Sequence, residues 1–352
     1  MTAPLQTAIT ELFGIQHPVI LAGMNVAAGP GLAAAVSNAG GLGVIGGIGY
    51  TPKVLRQVIG ELKAGLKDPK LPFGVDLLLP QVGGSARKTN YDYTKGQLDE
   101  LISVIIEEGA KLFVCAVGVP PKHVVDRLHK HNILVMNMVG APKHVEKALE
   151  RGVDIICAQG GEGGGHTGST PSSILWEECV DRVKGKTSPL TGKPIYVVAA
   201  GGIADGRGLA AALMYGAQAV WVGTRFVASV EAGAPKYHKD LVVSADFGDT
   251  ATSLIYTGRP LRVRRTDYVK SWETPDQVKK IQELTSQGKL PFELALAENP
   301  KLSIPGRPWL MGDVSARIRD VKPAKEIIDE LVNGAKEALE NGNKFIRNNA
   351  KL

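Results

Sequence analysis

Cysteine is scarce in this chain. Cys115, Cys157 and Cys179 form an odd set with no CxxC pair, which excludes a disulfide framework and offers no zinc-ligand spacing. Buried free thiols and no metal site are the expectation. Aromatic residues make up only 5%. The one dense basic run, RPLRVRRTDYVK at 259–270, lacks the interleaved aromatics of a groove that stacks single-stranded nucleic acid. It reads as a solvated face that attracts anions, so no nucleic-acid partner is expected. No stretch of about 18 apolar residues is present to span a membrane. The opening MTAPLQTAITELFG lacks the basic-then-apolar layout of a secretory signal, so a cytoplasmic protein is expected. The last residues, Ala350-Lys351-Leu352, resemble the SKL-type peroxisomal address, which makes the peroxisome the expected compartment in a eukaryotic host.

The 352 residues, 44% hydrophobic and 22% charged, suffice for one large barrel core. From residue 18 onward, eight short runs rich in β-branched residues alternate with amphipathic stretches: 18–24, 42–47, 73–80, 112–118, 133–140, 154–160, 194–202 and 219–226. Segments such as TPKVLRQVIGELKAGL and YTKGQLDELISVIIEEG lie between them. Strands apolar on both faces and separated by helices require a parallel sheet covered by helices. Eight such units predict a (β/α)8 TIM barrel. A doubly wound open sheet is the alternative, though it seldom repeats its unit so evenly. Beyond Phe226 the chain is too long for one closing helix. The reading is therefore a barrel over 1–229 and 313–352, closed by PAKEIIDELVNGAKEALENG, with 230–312 inserted after the eighth strand as a small lid.

In a TIM barrel the active site lies at the C-terminal ends of the strands, and a phosphate is commonly held after strands 7 and 8. Here those ends carry Gly201-Gly202-Ile203-Ala204-Asp205-Gly206 and Val222-Gly223-Thr224. Glycines let backbone N–H groups approach the oxygens, the helix starting near Asp205 adds a favourable dipole, and Thr224 offers a hydroxyl. The other strand ends are small: Ala22-Gly23-Met24, Gly46-Gly47, and Asp76 within strand 3. A flat aromatic cofactor with one phosphate, FMN, fits such a mouth.

After strand 6 comes AQGGEGGGHTGST, six glycines around His166. It lacks the Gly-Lys-Ser/Thr ending of a Walker loop and does not open a Rossmann unit. The expectation is a loop running beside the cofactor with Gln159 at the strand end and His166 held over the mouth; a histidine merely hydrogen-bonded to backbone is the competing possibility. His144, just after strand 5, is the second candidate. The histidines at 17, 123, 129, 131 and 238 are expected outside the mouth.

These motifs, together with IQHPVILAGM, NAGGLGVIGG, AAGGIADGRGL, AVWVGTRF and TGRPLRVRRTDYVKSW, resemble the nitronate monooxygenases, formerly 2-nitropropane dioxygenases, over most of the chain. The resemblance implies an FMN-dependent oxidoreductase with His166 catalytic. It implies FMN contacts at Ala22, Gly23, Met24, Asp76, Gln159, Gly164, Gly202, Gly223 and Thr224, to which the loop reading adds Gly201. Two positions depart from the family pattern: Asp76 stands where many members have Asn, and Cys115-Ala116-Val117 where many have a histidine at the tip of strand 4.

The implied reaction is oxidation of alkyl nitronates, and nitroalkanes through them, by O2 to carbonyl compounds and nitrite. His166 would serve as general base for the neutral substrate, or hold negative charge as imidazolium or imidazole. A homodimer is the candidate assembly. An FMN-dependent enoyl-ACP reductase using NAD(P)H shares the strand 6 motif and is one rival; a flavin-binding protein without turnover is another. An IMP-dehydrogenase-like enzyme fits less well, because the loop after strand 6 has no cysteine.

Overall fold

The computed structural model describes residues 3–346. Ala350-Lys351-Leu352, read above as an address, lies outside the described residues. Eight parallel strands, β1 (Val19–Leu21), β2 (Gly43–Gly46), β3 (Phe73–Leu78), β4 (Leu112–Ala116), β5 (Leu134–Val139), β6 (Ile155–Gln159), β8 (Tyr196–Ala200) and β9 (Ala219–Val222), pair in the order β1-β9-β8-β6-β5-β4-β3-β2. The label β7 belongs to Gly165–His166, in a second sheet described below. A parallel bridge from Ile20 to Leu42 joins the two ends and closes the barrel, with Leu21 N–H donating to Leu42 O at 3.0 Å. The fold is the (β/α)8 barrel the alternation predicts.

The period-2 geometry of strands splits each apolar run between two cores. Inward residues such as Ile20, Val44, Val114, Met136, Cys157, Val198 and Trp221 fill the barrel. Outward ones such as Leu21, Ile45, Val75, Phe113, Val135, Ile156 and Val220 pack under the helices. The helix Ala8–Phe13 plugs the end where strands begin: its Ile9 and Phe13 join the inner core, and Thr7 Oγ1 donates to Gln218 O at 2.7 Å. The helix Ala324–Asn343 packs between Gly206–Met214 and Pro30–Asn38, completing the outer ring. All three cysteines are free and buried. Among the described residues no helix is long and apolar enough to cross a membrane.

The segment expected as a lid contains β10 (Thr250–Ser253) and β11 (Leu261–Arg264), antiparallel to one another. With the helices Asp267–Ser271, Pro275–Ser286 and Pro291–Glu298 they enclose a separate cluster of Ile255, Tyr256, Leu261, Val263, Val269 and Ile281. The flanks of 230–312 pack differently: Val242, Ala245, Trp309 and Met311 belong to the core around the barrel.

Three expectations are corrected. The glycine-rich stretch is not all loop: β7 (Gly165–His166) pairs antiparallel with β11, Leu261 opposite His166. Glycine-rich sequence has little strand propensity, so only the tertiary partner reveals this strand. The eighth barrel strand stops at Val222, and Thr224–Val227 is already helix. The basic run at 259–270 is a solvated face only in part: Arg265 and Lys270 are exposed, while Arg262 and Arg264 are largely covered. Arg262 pairs with Asp313 at 2.8 Å, Arg264 with Asp249 at 2.9 Å and Arg265 with Glu273 at 2.5 Å. Arg262 also donates to Gly161 O through Nε and Nη2, at 3.1 and 3.0 Å, which ties the lid to the strand 6 loop.

Candidate active site

The C-terminal ends of the barrel strands open into one cavity of about 1650 Å³. His166, Ala22, Gly23, Met24, Asp76, Gln159, Gly164, Gly201, Gly202, Gly223 and Thr224 all line it. Residues scattered over two hundred positions therefore meet because each sits at or just past a strand end. His144 also lines it, and so, against expectation, does His238. His238 is held by Leu310 O at 2.8 Å and lies beside the Trp309 ring. Its own sequence surroundings resemble any polar helix, and only the return of the chain at 309–311 brings it to the wall.

At the ends of β8 and β9, Gly201 and Gly202 both adopt left-handed φ (87° and 75°), which glycine adopts without steric cost. The N–H groups of Gly202, Ile203, Gly223 and Thr224 have no backbone acceptor among the described residues. Thr224 Oγ1 accepts from Gly312 N at 2.9 Å, leaving its own proton to donate. This donor-only set matches a phosphate. The helix Gly206–Met214 begins where expected: Asp205 caps it by accepting from Gly208 N at 3.2 Å and pairs with Arg317 at 2.5 Å.

The small residues of the floor are small partly for the protein's own packing. A Cβ on Gly23 would collide with the Asp76 carboxyl, and one on Gly164 would lie 2.7 Å from Gly312 N. Asp76 itself faces the inner, top layer of the barrel, only 3% exposed, and its Oδ1 has no hydrogen-bond partner. Burial pushes its pKa up from 3.8 to about 8, so the group is mostly a neutral acid at pH 7. A protonated carboxyl is a donor and brings no negative charge to the cavity. Asn137, on β5, also leaves Oδ1 unpartnered.

His166 is positioned through its backbone. Gln159 Nε2 donates to His166 O at 2.7 Å, so this side chain holds β7 against β6 and has one of its two amide groups spent. The imidazole Nε2 lies 3.2 Å from Thr257 Oγ1. Burial, and then the nearby Arg259 cation, lower its pKa from 6.5 to about 4. Both causes favour the neutral ring over the imidazolium. His144 is also shifted down, by burial and then by Lys143 and Lys147.

Sequence reasoning anticipated the covering segment at 230–312 but missed a second one. The long connection 79–97 after β3 folds over the mouth: Arg87 Nη1 donates to Gly258 O at 2.8 Å, and Asn90 Oδ1 accepts from Arg259 Nε at 3.0 Å. Tyr91 and Tyr93, with ring centroids 4.2 Å apart, line the cavity along with Tyr256, Thr257 and Arg259. The available signal was NYDYT, two of the chain's few tyrosines in a connection too long for a simple βα turn. Among the described residues no cluster of three or more His, Cys, Asp or Glu side chains gathers as a metal site.

Comparison with known proteins fits this geometry. The nitronate monooxygenase family model matches residues 6–334. A Staphylococcus saprophyticus protein named "Probable nitronate monooxygenase" is 32% identical over 78% of this chain and 83% of its own. A Rhodococcus jostii protein, (3aS,4S,5R,7aS)-5-hydroxy-7a-methyl-1-oxo-octahydro-1H-indene-4-carboxyl-CoA dehydrogenase, is 38% identical over 76% of this chain and 68% of its own. The solved structure of FabK from Thermotoga maritima superposes with a TM-score of 0.79 at 32% identity, covering 97% of this chain and all of that one. A match over nearly the whole chain, strand ends and lid included, makes this protein an oxidoreductase of the nitronate monooxygenase family.

Proposed function

We propose that the protein binds FMN across the barrel mouth and oxidises alkyl nitronates, and neutral nitroalkanes through them, with O2 to carbonyl compounds and nitrite. The observation that carries this reading is the His166 imidazole lining one cavity with unsatisfied N–H donors and the Thr224 hydroxyl. The phosphate would be held by Gly201, Gly202, Gly223 and Thr224, and the ring system would lie along Ala22, Gly23, Met24, Asp76 and Gly164. Once bound, the flavin supplies the two-electron acceptor and the route to oxygen.

The chain's own contribution is proton handling and exclusion of water. Thr257 Oγ1 lies 3.4 Å from Arg259 O as donor and accepts from Arg259 N at 3.3 Å. A hydroxyl so engaged accepts a hydrogen bond from His166 Nε2–H, which leaves the Nδ1 lone pair to receive the α-proton of a nitroalkane. The C–H electron pair becomes the C=N bond of the nitronate, and the negative charge moves to the nitro oxygens. The lid and the connection 79–97 cover the mouth and keep bulk water from the carbanion.

Replacing His166 by Asn tests the assignment. Neutral nitroalkanes should lose on the order of 10²-fold or more in turnover, and pre-formed nitronates less. Flavin released by heat should run as FMN, at near wild-type occupancy. Lowered occupancy with unchanged activity per flavin would make His166 structural and turn attention to His144. A second reading, an NAD(P)H-dependent reductase of larger thioesters, is favoured by the cavity's size and the likeness to FabK. Bleaching of the flavin by NADPH under nitrogen would select it.

A further inference from the structure

A neutral His166 leaves the reaction without a holder for the negative charge that develops on the nitro oxygens. We propose that Arg259 is that holder: its guanidinium fork binds the two oxygens of a planar anion, nitronate or carboxylate, beside His166. The proposal deepens the function proposed above and rests on it for the identity of the natural anion, though not for the existence of the anion site.

Four observations converge on Arg259. It lines the cavity, while Arg262, Arg264 and Arg265, its neighbours in the same basic run, are each paired with a carboxylate. Arg259 makes no ion pair among the described residues, and its one side-chain bond runs from Nε to Asn90 Oδ1. Both terminal nitrogens are left without a protein acceptor. Its backbone N–H and the His166 imidazole meet at the same Thr257 hydroxyl, at 3.3 and 3.2 Å, so fork and base are anchored to one point. A second guanidinium, Arg87, docks on the adjacent Gly258 carbonyl and raises the local positive potential. A half-buried guanidinium, permanently charged, with an unused pair of parallel N–H groups matches a two-oxygen planar anion, and a lysine ammonium would not reproduce the fit.

Other titratable or charged groups lining the cavity here include Arg87, Tyr91, Tyr93, Tyr256, Glu293 and Arg307. Glu293 forms no ion pair among the described residues, and burial drives Tyr93 and Tyr256 upward, so both stay neutral. Positive charge therefore dominates the wall. The same cation that attracts the anion disfavours protonation of His166, which keeps the base free while its substrate is bound.

The test uses the flavin-loaded protein and its Arg259→Met and Arg259→Lys variants, with flavin content and thermal midpoint as folding controls. Benzoate binding, followed by calorimetry, should weaken at least about tenfold in R259M and recover only in part in R259K. The preference for a nitronate over its neutral parent nitroalkane should fall by a similar factor. The acid limb of kcat/KM should move to higher pH in R259M, because the cation that opposed imidazolium is gone. Unchanged benzoate affinity together with an unmoved acid limb overturns the proposal. If R259M does not fold, R259K decides through the same titration: affinity equal to wild type overturns it. Calorimetry requires no turnover, so a protein inert toward every nitro compound refutes the proposed function and leaves the anion site under test.

Discussion

Replacing Asp76 by Asn should make the protein more resistant to unfolding as the pH rises, although a buried residue is being altered. Asp76 lies at the top of the barrel interior with Oδ1 unpartnered, and its pKa is about 8 against 3.8 for an ordinary carboxyl. Below pH 3.8 both folded and unfolded chains carry the proton, and the site costs nothing through ionisation. Between there and about 8 only the folded chain holds the proton, so unfolding is favoured by about 1.4 kcal/mol for each pH unit gained. From pH 5 to 8 that accumulates to roughly 4 kcal/mol, a large part of the 5–15 kcal/mol by which domains are typically stable. Asn is isosteric and does not ionise; its amide adds an offset of about 1–3 kcal/mol for any buried donor left unpaired, independent of pH. Urea midpoints of both proteins at pH 5, 6.5 and 8 separate the two effects, because the offset cancels in the slope. Cys115 and Cys157, the titratable neighbours of Asp76, are driven well above their usual range by burial and stay silent in this window. Parallel curves for Asp and Asn across those pH values would refute the reasoning.

Two further expectations follow from the same cavity. For neutral nitroalkanes kcat/KM should be flat from pH 5 to 7 and fall only as the pH drops toward about 4, where His166 becomes protonated; an acid limb centred at 6.5 in the pH profile would mean an unperturbed imidazole or another base. Gly164→Ala should cost about 1–3 kcal/mol, as overpacking does, because the new methyl meets Gly312 N and Met311 C at 2.7 Å; a thermal midpoint and flavin content equal to wild type would show that the lid return at 311–312 yields freely.

The barrel was legible because its signal is local and repeated. Each strand is a short apolar run bounded by glycine or a polar residue, and closure needs nothing beyond eight such runs. The mouth was legible for the same reason, since strand ends such as Ala22-Gly23-Met24 and Gly223-Thr224 inherit their position from the barrel. Features set by pairing between distant segments were not legible. Nothing in GGGHTG announces a strand, because β7 exists only through the register of Leu261 with His166. Arg259 reads as one of several arginines in a basic run until partners for Arg262, Arg264 and Arg265 are found at Asp313, Asp249 and Glu273. Asp205 starts the helix as its sequence suggests, but its partner Arg317, more than a hundred residues on, is not legible locally.

The placement of His166 in the lid sheet rather than in a barrel loop changes what the lid does. A loop histidine would keep its position when the roof opened. Here the backbone of His166 is paired to β11 on one side and held by Gln159 of β6 on the other, while Arg262 of the same β11 grips Gly161 O. His166 sits on β7, paired to β11, and the Thr257 hydroxyl and the Arg259 guanidinium lie on the turn before β11. Displacing the lid therefore displaces the base. If His166 is the proposed base, a roof open enough to admit bulk water would also displace the proton acceptor. The six glycines serve different ends: a Cβ on Gly164 would meet Gly312 N and Met311 C, one on Gly160, Gly163 or Gly168 would meet the barrel-side residues Ser172, Gln159 or Gly140, and Gly165 adopts a left-handed φ of 73°.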